Sequence, residues 1–317
     1  MKRCVQIKAL VLLLVLATTS PISATKYAGE PFSLGAGANA LGMGGAVVAG
    51  PFNVTSGYYN PAGLAFTTGR QFYTMHSETF GSLLNHDYIG FSSNNGKTTG
   101  LNSYGVYLYY VGGGGIKLTG FDTDTQYPYI IREENHFDIM IGGSLSGRIV
   151  ESISYGITAK IIYRDIATET AYGLGLDAGI VYKMDTLMTA ALTVTDLTST
   201  FLAYSNDVSE TIIPALKPGI SFRFARRDVT AILSGQSIIR FEGRKQNAEL
   251  WQGEVSADFQ AGLEIGYKRV AFGRLGYDQD RITAGLGAII DKYIIDLAYL
   301  HHDDLDNTFR LSAGINF

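Results

Sequence analysis

Apolar and polar residues alternate one for one over stretch after stretch of this chain. Ile153, Tyr155, Ile157, Ala159, Ile161 and Tyr163 share one parity; Ser152, Ser154, Gly156, Thr158, Lys160 and Arg164 share the other, with Ile162 the one apolar intruder. Tyr172, Leu174, Leu176, Ala178, Ile180 and Tyr182 alternate with Gly173, Gly175, Asp177, Gly179, Val181 and Lys183. The pattern returns from Val255 to Lys268. It returns again at the end, where Phe309, Leu311, Ala313, Ile315 and Phe317 oppose Arg310, Ser312, Gly314 and Asn316. A period of two puts each set on one face of a sheet. The fold class is all-β.

Which face meets which medium follows from the ends of the stripes. Tyr155 and Tyr163, Tyr172 and Tyr182, and Phe309 and Phe317 bracket apolar stripes with aliphatic middles. A barrel in a bilayer puts aromatic girdles at the two interfaces, an apolar band between them, and the polar parity toward its lumen. The tyrosine stripes are therefore read as membrane belts. Beyond the N-terminal segment no stretch reaches the ~18 apolar residues that suggest a helical span. Charged residues make up only 17% of the chain, where a soluble domain has about a quarter.

The expectation is a fourteen-stranded antiparallel transmembrane β-barrel over 70–317. Its strands are 70–76, 86–93, 101–111, 136–149, 152–164, 171–183, 187–195, 218–225, 228–236, 255–268, 269–277, 281–290, 292–301 and 308–317. An even count suits a single-chain barrel. The connections 94–100, 150–151, 184–186, 226–227, Lys268-Arg269 and Asp291 are short and fall on one side, read as periplasmic together with both termini. The long connections 112–135, 196–217 and 237–254 fall on the other.

Lys2, Arg3 and Lys8 precede the apolar run Ala9 to Ala17, and small residues lead to Ala24. That order describes a secretory signal peptide over 1–24. Its removal would take the only cysteine, Cys4, and leave 22 Lys+Arg against 29 Asp+Glu, a net charge of −7. Without a thiol there is no disulfide, Cys-zinc site or Cys nucleophile. The negative balance disfavours nucleic acid as a partner.

Residues 25–69 do not alternate. They carry a glycine run from Gly35 to Ala46, with Gly42, Gly44 and Gly45, and then Tyr59-Asn60-Pro61-Ala62-Gly63-Leu64. Small residues let backbone approach backbone, and Asn-Pro-Ala-Gly is a turn leading into a short helix. Such a segment fits inside a barrel as a plug. These two motifs, behind a signal peptide and ahead of the strands, resemble the PorV/PorQ group of FadL-like outer-membrane barrels. Asn39 stands where members often have Arg, Tyr59 where Trp is common, and Gly50-Pro51-Phe52-Asn53 replaces an acidic pair. The resemblance implies one of two functions. FadL-like members pass hydrophobic molecules across the outer membrane through a plugged barrel. PorV-like members act in type IX secretion with secreted proteins or secretion subunits.

Other motifs carry less. Gly35-Ala36-Gly37-Ala38-Asn39-Ala40 matches a dinucleotide G-x-G-x-x-A but follows no strand and opens no βαβ unit. Gly90 to Gly96-Lys97-Thr98 has one residue too many for a phosphate loop, and neither H-E-x-x-H nor G-x-S-x-G occurs. No cofactor is implied. His76, His86, His136, His301 and His302 fall at strand ends on the outer side, read as solvated rim polarity. His301-His302-Asp303-Asp304 with Asp306 has the chemistry of a cation rim site. No Ser, His and acid fall in register on neighbouring strands, so no enzyme is expected. The expected lumen charges are Lys160, Arg164, Asp177, Lys183, Asp258, Glu264, Lys268 and Asp296, read chiefly as ion pairs spanning the lumen to hold the plug.

Two functions are thus open, besides a closed structural barrel in outer-membrane lipid. Passage of hydrophobic small molecules calls for an apolar cavity near the plug and a lateral opening where glycine or a bulge interrupts strand pairing. A secretion-associated barrel would grip partner proteins with the loops 112–135, 196–217 and 237–254.

Overall fold

The computed structural model describes residues 27–79, 83–122, 126–245, 248–302 and 306–317. Residues 1–24, read as a signal peptide and carrying Cys4, lie outside the described residues, as do Asp303 and Asp304 of the rim cluster. The first strands are β1 (Arg70–Thr79), β2 (Leu84–Asn94), β3 (Gly100–Asp122), β4 (Tyr127–Val150), β5 (Ile153–Ile166) and β6 (Glu169–Lys183). β7 (Met188–Thr195), β8 (Thr200–Tyr204), β9 (Ser209–Ile212), β10 (Ala215–Arg226), β11 (Val229–Arg240) and β12 (Leu250–Gln252) follow. The last are β13 (Val255–Tyr267), β14 (Ala271–Asp278), β15 (Arg281–Ile290), β16 (Tyr293–Leu300) and β17 (Thr308–Asn316).

Fourteen of these close an antiparallel barrel. β17 pairs with β16 on one side and β1 on the other, with Thr74 opposite Ala313. Closure removes the edges of the barrel itself. Arg70 and Phe317 exchange backbone hydrogen bonds, so the start of β1 and the chain's end share one rim. The short connections predicted from sequence all lie at that rim.

The three remaining strands, β8, β9 and β12, decorate the other end. β8 continues β7 along β6 after an insertion at Asp196–Ser199, two residues of which have positive φ, and β9 pairs back onto β8. The connection 196–217 is therefore largely an extended hairpin. Within the connection 112–135, residues 112–122 and 127–135 are strand as well: β3 and β4 continue past their other neighbours as a two-stranded projection. Ile116 and Leu118, and Tyr127, Tyr129 and Ile131, keep the period of two there. The glycine run only shifts register between Gly113 and Ile116, with Gly115 at φ 77°. In 237–254, β11 runs on to Arg240 and β12 doubles back onto β13.

The outward parity is exposed and apolar, as Ile157, Ile161, Leu174, Leu286, Ile295 and Leu311 illustrate. No helix among the described residues is long and apolar enough to cross a membrane.

The inward parity packs against residues 27–69. This inner segment forms short helical turns at Glu30–Ser33, Ala38–Gly42, Ser56–Tyr59 and Pro61–Phe66. Turns this short leave most backbone groups without helical partners. Wall side chains supply many of them. Ser312 Oγ accepts from Ala38 N at 2.9 Å, Thr283 Oγ1 from Gly44 N at 3.1 Å and Gln236 Oε1 from Val48 N at 2.9 Å. Ser221, Thr158, Ser154 and Ser103 donate to the carbonyls of Ala49, Gly57, Ala62 and Leu64, each at 2.9 Å. This is why the polar parity is rich in Ser and Thr. A buried carbonyl or amide costs stability unless bonded, and a short hydroxyl reaches it without filling the lumen.

Candidate functional site

Along β1–β3 the interior is lined by aromatic side chains from both the wall and the inner segment. Tyr73, Tyr88, Tyr107 and Tyr109 on β1–β3 point inward and are wholly buried. They form a second, inward set beside the tyrosines that bracket the outward stripes, of which Tyr155, Tyr172 and Tyr182 are exposed. In Tyr107-Leu108-Tyr109-Tyr110 both parities are apolar, so alternation cannot tell in from out. Tyr58 of the inner segment stacks on Tyr109 with centroids 5.5 Å apart and planes 7° from parallel, and meets Tyr59 edge-on at 4.8 Å. Tyr58 Oη donates to the Phe32 carbonyl at 2.6 Å, and Tyr59 Oη accepts from Ala36 N at 2.9 Å. Burial pushes both phenols above their ordinary value, Tyr59 to about 12.

Beside this cluster lies a cavity of about 90 Å³. Its apolar wall is built by Phe32, Tyr58, Met140, Ile162, Ile212 and Ile238. Ile162, the apolar intruder on the polar parity, faces it. Two polar groups are unengaged: Tyr107 Oη has no protein partner, and Lys217 forms no ion pair among the described residues. The other charges at the cavity are neutralised. Lys160 Nζ lies 2.8 Å from both Asp177 Oδ1 and Asp196 Oδ1, and Arg240 is paired with Asp258.

The β10–β11 ladder is interrupted next to the cavity, with no change of register across the interruption. β10 and β11 pair at Leu216–Ile239 and again at Gly219–Gln236, but Lys217 and Pro218 have no partner on β11. On their other side both pair with β7. Proline has no N–H to give a ladder, which confines it to edges, strand starts and breaks. Lys217 and Ile238, which flank this gap, also line the cavity.

Of the expected lumen charges, Lys160, Arg164, Asp177, Asp258, Glu264 and Asp296 are buried in the interior. Lys183 faces inward near the terminus rim, its Nζ 3.8 Å above the Phe66 ring. Lys268 does not face the lumen. It sits exposed in the β13–β14 turn at φ 52°, where the strand has already ended. The ion pairs link strands of the wall and do not span the lumen. Arg164 holds Asp138 at 2.6 Å, and Arg274 holds Glu264 and Asp296 at 2.7 Å each. Among these networks only Arg244, paired with Glu30, reaches an acid of the inner segment. Sequence reasoning passed over Asp138, Arg240, Arg274 and Arg310, though each has the inward parity.

The plug-motif residues meet the wall closely. A Cβ on Gly42 would lie 3.0 Å from the Gly285 Cα, and Gly44 and Gly45 both have positive φ. Asn60 caps its own turn by accepting from Ala62 N at 3.1 Å and donates to Val48 O at 3.0 Å. Pro61 and Ala62 lie against Gly156, and Gly63 against Phe52. Among the rim histidines, His86 departs from expectation. It is wholly buried, with its ring 4.5 Å from Tyr109 and Nδ1 3.4 Å from an Arg310 nitrogen. His76 pairs with Asp87 at 2.7 Å, and His301 Nδ1 lies 2.9 Å from Asn307 Oδ1. No metal-ligating cluster forms among the described residues.

No protein-family model and no curated protein matches the sequence. Solved structures do. The monoaromatic hydrocarbon channel CymD is similar with a TM-score of 0.60 at 12% identity, over 89% of this chain and 98% of that one. The Ralstonia pickettii toluene transporter TbuX gives 0.56 at 12%, over 89% and 98%. A Pseudomonas aeruginosa FadL homologue gives 0.50 at 13%, over 87% and 96%. At these identities the likeness is one of fold.

Proposed function

We propose that this chain is a non-enzymatic outer-membrane barrel that passes hydrophobic small molecules, with residues 25–69 as its plug and both termini in the periplasm. The observation that carries the reading is a small interior cavity, apolar on the side of Phe32, Ile162 and Ile238 and lined elsewhere by charged side chains, beside the stretch where β10 and β11 lose two ladder partners. A molecule partitioning from the bilayer could enter between β10 and β11 at Lys217-Pro218 and lie against Phe32, Ile162 and Ile238. Tyr107 and Lys217 would turn any hydrogen-bond acceptor on it. The cavity of about 90 Å³ is smaller than the 150 Å³ that accommodates benzene in an engineered protein core. Passage therefore requires the Glu30–Ser33 turn and Tyr58 to move aside. That the similar structures include channels for toluene and other monoaromatic hydrocarbons supports this cargo class.

The test is uptake of labelled toluene by cells expressing the protein, against cells with Ile162→Trp, which fills the cavity. Uptake above the empty-vector rate that falls in the variant is expected. Equal uptake in all three strains rejects the reading.

A second reading keeps the secretion role implied by the PorV/PorQ resemblance. It is favoured by the β3–β4 projection, whose Phe121, Tyr127, Tyr129, Ile130 and Ile131 are exposed beyond the barrel ladder. Recovery of secreted proteins or secretion subunits in fixed ratio with the purified barrel, lost on replacing Tyr129 and Ile131 by Ser, would favour it.

A further inference from the structure

At the rim where the chain begins β1 and ends, the barrel opens into a cup of about 1290 Å³. Its floor is Phe66, with two cations over the ring: Arg148 lies 4.6 Å and Lys183 3.8 Å from the centroid. Phe52 stacks on Phe66 at 5.7 Å, and Phe272 and Ile232 complete an apolar lining. Arg223, Arg226 and Arg269 stand around it. Lys183 lies in the repulsive field of Arg148 and Arg223.

The two carboxylates in the cup are already engaged. Glu264 is paired with Arg274, and Asp185 accepts from the amides of Leu187 and Met188 at 2.7 Å each. Among the described residues Lys183, Arg223, Arg226 and Arg269 have no ion-pair partner. A chain of net charge −4 thus gathers unneutralised cations in one concave, aromatic-floored place. Such a grouping is unfavourable alone and is relieved by an anionic occupant.

We infer that this cup docks an acidic segment of a partner protein that also carries apolar side chains. Three observations select that occupant. A single carboxylate on a small molecule would leave most of the cations facing one another. The volume exceeds the ~300–1,000 Å³ of ordinary small-ligand pockets. The wall strands separate inward-facing Lys183 from the annular lipid, so a headgroup in the bilayer does not reach it. Carboxylates spaced along a peptide reach several cations at once, and its aromatic or aliphatic side chains cover Phe52, Phe66 and Phe272. The site is separate from the cavity at the opposite end and does not depend on any cargo passing through the barrel.

The experiment uses the full chain in detergent and a short fluorescein-labelled peptide of Asp and Glu with two Phe, followed by anisotropy. Saturable binding is expected that weakens with added salt. Lys183→Gln with Arg223→Gln should raise Kd by about tenfold or more, as loss of close charge pairs does. Arg226→Gln with Arg269→Gln, nearer the rim, serves as a second variant. Heat-modifiable migration confirms that each barrel is folded. Equal binding of a peptide with Asn and Gln in place of the acids, or unchanged affinity in both folded variants, overturns the proposal. So does displacement by dodecanoate at concentrations matching the peptide, which would assign the cup to small anions.

Discussion

Gly44 of the inner segment and Gly276 of β14 meet backbone to backbone: a Cβ built on Gly276 would fall on the Gly44 amide nitrogen. Gly44 is also held at φ 61°, where a side chain is strained, and its N–H is bonded to Thr283. The inner segment is thus seated by close approach as much as by hydrogen bonds. Gly276→Val is expected to unseat it locally at a cost of about 1–3 kcal/mol, the usual penalty of overpacking. Limited proteolysis within 27–69 should become faster and single-channel conductance in planar bilayers should rise, while the barrel keeps its heat-modifiable migration.

Arg274 binds two buried carboxylates on different strands, Glu264 and Asp296. Its removal leaves both without their cation in a site closed to water. Arg274→Ala should destabilise the barrel by about 3–5 kcal/mol, the range for stranding a buried charge. The triple change Arg274→Met, Glu264→Gln, Asp296→Asn removes all three charges and should recover most of that loss. Urea unfolding of the refolded protein in liposomes measures both, and equal midpoints for wild type and Arg274→Ala would refute the network's importance.

Tyr58 and Tyr59 provide a pH test of the inner segment. Both phenols are raised by burial, Tyr59 to about 12 from the ordinary 10.0. A phenol raised in the folded state contributes stability that is intact below about 10 and is lost as pH climbs toward about 12. Phenolate absorbance should therefore rise in two stages: exposed tyrosines first, then a step that coincides with release of the segment. Tyr59→Phe keeps the ring and loses the bond to Ala36 N, and should shrink the second step. A single titration near the ordinary value would show the cluster open to solvent.

The wall could be read from sequence because each of its strands faces two different media, and a period of two is the direct record of that. Where the two media become alike, the record fades. On β3 and β4 beyond Gly112 both faces are exposed, so the segment reads as a loop despite its pairing. On β1–β3 the inner face is as aromatic as the outer, and parity alone does not say which way Tyr107 and Tyr109 point. Lys268 has the inward parity, but the strand has ended one residue earlier and the positive φ turns it out. The inner segment was visible as a glycine-rich interruption. Its partners, the scattered Ser and Thr of the wall, were not, because a hydroxyl carries no sign of what it will bond. Lys217 escapes a reading of the sequence because Pro218 has the look of an opening residue, whereas the strand begins at Ala215.

Pro218 gives the sharpest test of the passage itself. It lies outward on β10 with its ladder to β11 interrupted, while the same stretch is fully paired with β7. Pro218→Ile supplies an N–H and a β-branched side chain, so the β10–β11 ladder can close across Lys217 and Pro218. One added hydrogen bond contributes about 0.5–1.5 kcal/mol, so the variant should be at least as stable as the parent. Amide exchange at 217–218 and 237–238 should slow, and uptake of labelled toluene should fall several-fold. Lys217→Met, which removes the unpaired cation and leaves Pro218 in place, should retain uptake of that purely apolar probe. If Pro218→Ile closes the ladder by exchange yet leaves uptake unchanged, cargo does not cross the wall between β10 and β11.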